Sequence, residues 1–555
     1  MSRQSIIRLV EGALEKATRN GALPIVPGVR VALERPRRRE HGDWSTNIAM
    51  AIAGPAGMSA RKAAEVIASN IEADPGIVSS VEVAGPGFIN FRLAPSVVRG
   101  VLFEISEKGD RYGASPAGGG ARVQVEFVSA NPVGPLHVGH GRWAALGDCL
   151  AAVLAHAGYS VEKEFYINDY GAQLRMFGLS ISARYMELLG EHVPFPEGGY
   201  AGSYITDIAR KIIEQHGDRF RDMSEDERAE RFSEMEYPVV LEEIRTTLTR
   251  MGVGFDGWFS ERELYRSGKV ERVLKQLESS GVAYREKGAL WMRTSEFGDE
   301  KDRVLVRTSG MPTYFASDIA YHRDKMERGF DRVIDIWGAD HHGYVARIKA
   351  AMLAMGYDPE RLEVILGQMV RLFRSGEPVI MSKRTGDIIT LEELLDEVGP
   401  DAVRYFFLQR SHDSPLDFDI DLAKQESPEN PVYYVQYAHA RICSILRYAE
   451  ECGADRGEPS REDLELLSSE AEMDLLRKLD ELEELIEFCA AKRTPHRLTT
   501  YAEELASLFH IFYRDCRVVT GDPGLTRARL FLVRGVRQVL RVVLGLIGVS
   551  APERM

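Results

Sequence analysis

The apolar positions along this chain change rhythm twice. From residue 1 to about 112 an opening helical pattern (SIIRLVEGALEKA) gives way to alternation in VEVAGPGFINFRL, residues 81–93. There Val81 and Val83, then Ile89, Phe91 and Leu93, point to one face at period two around a Gly-Pro-Gly break. ASPAGGGA, residues 114–121, reads as a linker. From about 122 to 415 short β-rich runs alternate with helices. VQVEFV (123–128) precedes the helix GRWAALGDCLAAVLAHAG, which should stop at Gly158, and VEKEFYI (161–167) follows. VIDIWG (333–338) and a helix from Tyr344 to Met355 come much later. Strand, glycine turn, helix, strand is the texture of a parallel nucleotide-binding sheet.

A charged, mostly helical insertion fills about 180–300, and beyond about 425 the pattern is helical throughout. In EAEMDLLRKLDELEELIEF, Leu475, Leu476, Leu479, Leu482, Leu485 and Ile486 form one stripe with acids opposite, as in a bundle helix. The expected fold is therefore multidomain: an α+β amino-terminal domain (1–112), an α/β Rossmann-like parallel-sheet domain (113–425) carrying the insertion, and an all-α helical bundle (426–555).

Composition narrows the function classes. At 555 residues, 44% hydrophobic and 28% charged, the chain has the make-up of a soluble protein of two to four domains. No apolar run is long enough to span a bilayer. The five cysteines lack CxxC spacing, which argues against a zinc ribbon or a disulfide framework and suits a reducing cytoplasm. A net charge of −14 argues against a polyanion partner, yet binding follows local potential. Basic clusters lie at RPRRR (35–39) and at Arg527, Arg529, Arg534, Arg537 and Arg541; the plain reading of each is a solvated face.

Candidate chemistry concentrates in NPVGPLHVGHGRW, residues 131–143. Zinc-binding helical histidines sit four apart around a glutamate, whereas His137 and His140 are three apart around Val and Gly. Two packed, satisfied rings are a second reading. The third follows from position: a strand enters a Pro-rich turn and the histidines fall on the first turn of a helix, whose free N–H groups bind anions. Gly139 would let a base or ribose approach the backbone, and two imidazoles can donate to phosphate oxygens as charge develops. A mobile cation for the leaving phosphates could come from MSKRTGD, residues 381–387.

HVGH and MSKR are similar to the HIGH and KMSKS sequences of class I aminoacyl-tRNA synthetases. With EFVSANPVGPLHVGH, INDYGAQL, MSKRTGDIITLEELLDEVGPDAVRYFFL, NPVYYVQYAHARI and the closing GVSAPERM, the chain resembles arginyl-tRNA synthetases over nearly its whole length. Ile380 departs from the family by replacing the first KMSKS lysine, whereas the second, Lys383, is present.

That resemblance implies an arginine–tRNA ligase that makes arginyl-adenylate from ATP–Mg²⁺, then passes arginine to the 2′-hydroxyl of the terminal adenosine of tRNA(Arg), with tRNA bound before activation. His137, His140 and Lys383 would be catalytic. Asn131, Pro132, Gly139, Met381 and Ser382 would join them around ATP. Arginine would meet Glu126, Asn131, Tyr314 and Asp318, with Glu126 and Asp318 converging on the guanidinium. Asp340 and His341, in GADHHGY where the family often has Gln, would form the third side. Tyr434, Tyr437, Arg441 and Met555 would contact the anticodon, and Phe88, Asn90 and Phe91 the outer corner of the RNA, with the basic clusters at both chain ends under one long footprint. A cytoplasmic monomer with no membrane contact and no protein-bound metal, zinc included, is the expectation. A class I synthetase for another amino acid and a non-catalytic tRNA-binding relative stay open; the paired acids speak against the first and the intact motifs against the second.

Overall fold

The apolar runs flanked by glycine turns assemble into one parallel sheet. The computed structural model describes residues 2–26, 28–36, 38–379 and 389–555. Its five strands lie in the order Leu362–Gly367, Arg332–Gly338, Arg122–Glu126, Ser160–Ile167 and Gly257–Ser260, all parallel. The first of these in sequence is central; two strands are added on one side and later two on the other. That order creates a switch point beside Arg122–Glu126, where ligands bind at the carboxyl ends of the strands. The following helix, Val138–His156, lies hard against this strand: a Cβ on Gly147 would fall 2.1 Å from a Phe127 ring carbon. Gly158 ends the helical segment in a left-handed conformation (φ 86°), as expected.

The insertion is less helical than its charge pattern predicts. Helices Ala172–Leu188, Ser203–His216 and Glu225–Arg250 are followed by the edge strand Gly257–Ser260 of the main sheet. Beyond it, Ala283–Glu286, Ala289–Met292 and Arg303–Val306 form a separate antiparallel sheet. Strands of four residues are too short to impose a period on the sequence. The predicted bundle helix EAEMDLLRKLDELEELIEF is likewise two helices, Glu470–Asp480 and Leu482–Lys492. At the break the Leu479 carbonyl accepts from Tyr112 Oη (2.9 Å), and Arg35 Nη2 donates to the Asp480 carbonyl (3.1 Å) and carboxylate (2.8 Å). Side chains thus hold carbonyls that would otherwise continue the helical ladder.

The parallel sheet belongs to a compact unit formed by residues 113–441, 482–506 and 540–555. A second unit combines 1–112 with 442–481 and 507–539. Within it Phe88–Leu93 is the middle strand of an antiparallel sheet, between Trp44–Thr46 and Val78–Ala84, flanked by helices. This placement encloses two of the three residues expected at the RNA corner. Phe91 is fully buried, and Asn90 is enclosed and accepts from Ser45 Oγ at 2.8 Å; only Phe88 keeps partial exposure. Arginines of the basic clusters are also committed internally. Arg527 pairs with Asp455 and Asp463, Arg529 with Glu472, and Arg35 with Asp480 while covering the Trp44 ring. Among the described residues no helix is long and apolar enough to cross a membrane.

One buried cation knits the sheet unit. Arg404 is wholly enclosed and donates to the carbonyls of Ile547 (2.9 Å) and Met251 (3.1 Å) and to Asp148 Oδ2 (2.7 Å). Arg404→Leu strands all three acceptors. A loss of about 3–5 kcal/mol is expected, read as a lowered thermal midpoint relative to an exposed control such as Arg410→Leu.

Candidate active site

The helix that begins at Val138 is capped by its own histidines. His137 is the N-cap; its Nδ1 accepts from the Gly139 N–H (3.1 Å), and His140 Nδ1 accepts from the His137 N–H (3.3 Å). The rings stack 3.7 Å apart at 20°. An Nδ1 that accepts carries no proton, so each ring must hold its proton on Nε2. Gly139 serves this turn first of all, since a Cβ there would lie 3.0 Å from His137 Cε1. The pair sits where helix N–H groups favour an anion. Just past the second motif, Thr390 bridges to His137, and the Leu391 N–H donates to the Leu136 carbonyl (2.8 Å). Ile380, Met381, Ser382 and Lys383 lie outside the described residues.

Before this turn the backbone is forced. Val128 and Ser129 both adopt left-handed φ values, 68° and 40°. For a β-branched residue this is a true outlier, the kind that clusters at functional sites. It folds the Ser129 hydroxyl back to donate to Glu126 Oε1 (2.8 Å), while Ser129 Oγ itself accepts from the Tyr166 N–H (3.1 Å). Asn131 donates to Gln173, and Pro132 is buried beneath the turn.

Glu126 belongs to a row of acids. Parallel register sets it beside Asp335 on one neighbouring strand and Glu164 on the other, so three carboxylates project from the same face. All are buried. The helix Tyr314–Glu327 covers them with a polar stripe. Tyr321 Oη donates to Glu164 Oε1 (2.6 Å), and Lys325 Nζ reaches Glu126 Oε2 and Asp335 Oδ1 (2.7 Å to the latter). Arg328, which closes the helix, forks onto Glu164 at 2.6 and 2.8 Å. His322 Nε2 meets Asp335 Oδ2 at 3.0 Å and its Nδ1 the Asp318 carbonyl at 2.8 Å. Burial raises the Glu126 carboxyl above the ordinary range, with Asp335 adding and Lys325 opposing. Burial also acts to raise Asp335, but Lys325 and His322 outweigh it and hold that carboxyl low.

At the amino-terminal end of the same stripe the acids lack such cover. Asp318 accepts from Tyr344 Oη, and burial raises its carboxyl despite that bond. Glu261, almost wholly buried, accepts from Ser317 Oγ through Oε1 (2.9 Å), whereas Oε2 has no hydrogen-bond partner among the described residues. Burial, reinforced by Asp318 and Asp169, pushes it up to about 7. Tyr166 Oη is a second buried orphan, and its phenol is driven well above its ordinary value by burial and by Glu261, Asp318 and Glu126. Three carboxylates therefore act on one buried hydroxyl. Tyr314 stands half exposed at the mouth, its hydroxyl beside Gly171, where an added Cβ would lie 3.5 Å away. Unsatisfied buried acceptors of this kind call for a cationic donor.

The expected third side differs. Asp340 and His341 lie on an exposed turn, their side chains 82% and 58% accessible. Tyr344, two residues beyond His342, makes the contact to Asp318 instead. Glu261, Tyr166, Tyr344 and Lys325 escaped sequence reasoning. The stripe Tyr314, Asp318, Tyr321, Lys325, Arg328, at spacings of four and three, was the available signal for Lys325.

Tyr434, Tyr437 and Arg441 share the helix Pro431–Glu451, all partly accessible. Tyr433 and Tyr437 lie parallel (6.1 Å, 8°), and the Arg441 guanidinium covers the Tyr437 ring at 4.9 Å. The carboxy-terminal tail is tied to this helix: Gln436 donates to the Ser550 carbonyl (3.0 Å) and His439 to that of Pro552 (2.8 Å), leaving Met555 exposed.

Comparison with known proteins agrees with this arrangement. Residues 108–408 match the family "tRNA synthetases class I (R), catalytic domain", 4–93 the "Arginyl tRNA synthetase N terminal domain" and 435–555 the "DALR anticodon binding domain". The chain is 52% identical to the arginine–tRNA ligase of Desulfitobacterium hafniense over 548 residues, 99% of this chain and 98% of that one. It is 52% identical to that of Carboxydothermus hydrogenoformans over 553 residues, 100% and 99% of the two chains. The structure of Thermus thermophilus arginyl-tRNA synthetase superimposes with a TM-score of 0.78 at 24% identity, covering 100% of both chains. A family match over residues 108–408 and 52% identity along nearly the full length of both relatives settle the kinship: the chain belongs to the arginyl-tRNA synthetases of class I.

Proposed function

We propose that the chain activates L-arginine with ATP and transfers it to the 2′-hydroxyl of the terminal adenosine of tRNA(Arg), releasing AMP and pyrophosphate. The observation that carries this reading is the pocket in which Glu261 Oε2 and Tyr166 Oη lack partners beside Asp318. A guanidinium brings five donors in a plane and can serve two carboxylates and a phenol at once, which a compact ammonium cannot. Asp318 and Glu261 take the guanidinium, Tyr166 and Tyr344 shape its plane, and Tyr314 closes the mouth.

The reacting carboxylate of arginine must then lie toward the histidine turn. Glu126, on the strand leading into that turn, faces the α-ammonium group rather than the guanidinium, because Lys325 and Ser129 already occupy its two oxygens. Asn131 supports the same end. His137 and His140 donate from Nε2 to the α-phosphate as negative charge grows on it, and Lys383 steadies the departing pyrophosphate. Mg²⁺ enters with ATP as part of the substrate. No side chain acts as a nucleophile; the catalysis is positioning and charge stabilisation. Tyr434, Tyr437 and Arg441 offer stacking surfaces for unpaired anticodon bases, with Met555 and Phe88 as further contacts. Five cysteines in no disulfide, four of them buried, suit the cytoplasm.

ATP–pyrophosphate exchange with each amino acid, with and without total tRNA, tests the assignment; exchange driven by another amino acid overturns it. Within that assay Lys383→Ala should lower turnover about 10²–10³-fold with little change in the arginine KM. Asp318→Asn should instead raise the arginine KM about 10–150-fold, the worth of a charge-assisted hydrogen bond. Because the free enzyme holds a proton on Glu261 below about 7, guanidinium binding there must expel it. The arginine KM should fall about tenfold per pH unit up to that point and level off above it. Glu261→Gln should weaken binding and flatten the profile; an unchanged slope in the variant excludes Glu261 from the pocket.

A further inference from the structure

Among the described residues Lys325 is the most deeply enclosed lysine of the sheet unit, with no accessible side-chain surface. It comes from the helix Tyr314–Glu327 and bridges two carboxylates that register forces side by side, Glu126 and Asp335. The Tyr321 ring supports its ammonium group from a third side, 4.4 Å from Nζ to the ring centroid. Glu164, the other acid of the row, is already served by Arg328 and Tyr321.

A buried ion pair is a poor source of stability, since desolvation offsets most of its Coulombic gain. The placement of this one matters more for what it does to Glu126. Lys325 anchors Oε2 and Ser129 anchors Oε1, so both oxygens of the carboxylate are held in place at the end of its strand, and each can accept a further hydrogen bond. Deprived of Lys325, a buried carboxyl beside Asp335 would take up a proton and become a hydrogen-bond donor, which turns away an ammonium group.

We propose that Lys325 is a positioning residue for amino-acid recognition: it holds Glu126 as a fixed, charged acceptor and thereby makes the enzyme read the α-ammonium group of its substrate. The inference rests on the assignment of Glu126 to that group. Its signature is discrimination between arginine and 5-guanidinopentanoate, which keeps the guanidinium and carboxylate but lacks the amino group.

The test measures the arginine KM in tRNA aminoacylation and the competitive inhibition constant of 5-guanidinopentanoate, for wild type, Glu126→Gln, Lys325→Met and the double variant Lys325→Met/Asp335→Asn. The double variant deletes one charge of each sign and so spares the fold an unpaired carboxylate at 335. Wild type should favour arginine by about tenfold or more. Both Lys325 variants should lose that preference, as Glu126→Gln does, while the inhibition constant of the analogue and the ATP KM change less than about twofold. If the Lys325 variants weaken arginine and analogue equally, or keep the wild-type preference while Glu126→Gln loses it, Lys325 is structural and the inference fails alone. If wild type and Glu126→Gln discriminate alike, the assignment of Glu126 fails and takes this inference with it.

Discussion

Everything around the site answers to three carboxylates standing in register across adjacent strands. Asp335, Glu126 and Glu164 lie on one face of the central sheet, where strands run about 4.8 Å apart. Side chains so spaced repel one another in a poorly solvated interior, and the arrangement persists only because the covering helix is polar on that side. Lys325, Arg328, Tyr321 and His322 supply the compensation, so this helix cannot pack through an apolar stripe as an ordinary crossover helix does. Its apolar residues instead turn outward into a core with the antiparallel sheet of the insertion: Phe315, Ile319 and Met326 join Leu290, Met292 and Leu305. The helix thus has two buried faces of opposite character.

The covering helix is divided along its length. Its carboxy-terminal half neutralises the acids of the sheet. At its amino-terminal half Asp318 has the Tyr344 hydroxyl and Glu261 Oε1 has Ser317, while Glu261 Oε2 is left without a partner among the described residues. On the proposed reading a cation would complete the first end, whereas the second already holds an oriented carboxylate, Glu126. The histidine turn obeys a similar logic, because the bonds that cap the helix also fix which nitrogen of each ring can donate. Structure and chemistry use the same hydrogen bonds.

Much of this was legible beforehand. The runs at 123–128, 161–167 and 333–338 carry enough β-branched and aromatic residues to betray a buried parallel sheet; the last two lie in it, and the first does as far as Glu126. The place of the histidine pair at the start of a helix followed from spacing and position. What stayed hidden has physical reasons. Gly257–Ser260 is too short to show a period. The break at Glu481 is made by Arg35 and Tyr112, which are hundreds of residues away. Lys325 sits in HRDKMERG, a string indistinguishable from a solvated helix surface until the sheet beneath is known to be acidic. Glu261 is equally disguised in SEREL. Conversely, Asn90 and Phe91 looked available because alternation marks only which residues share a face; the pairing of the sheet decides what that face meets.

The left-handed pair Val128–Ser129 has a consequence for how such a protein can change. Among the described residues every other positive-φ residue with a side chain, Lys287, Ser375 and Arg493, is unbranched at Cβ; Val128 is the exception. Glycine there would relax the backbone, yet the same freedom would let the hydroxyl next to it swing off the carboxylate it pins. Lineages selected for heat tolerance would gain from easing this corner and would blur their choice of substrate in doing so, which sets robustness against fidelity at a single peptide unit.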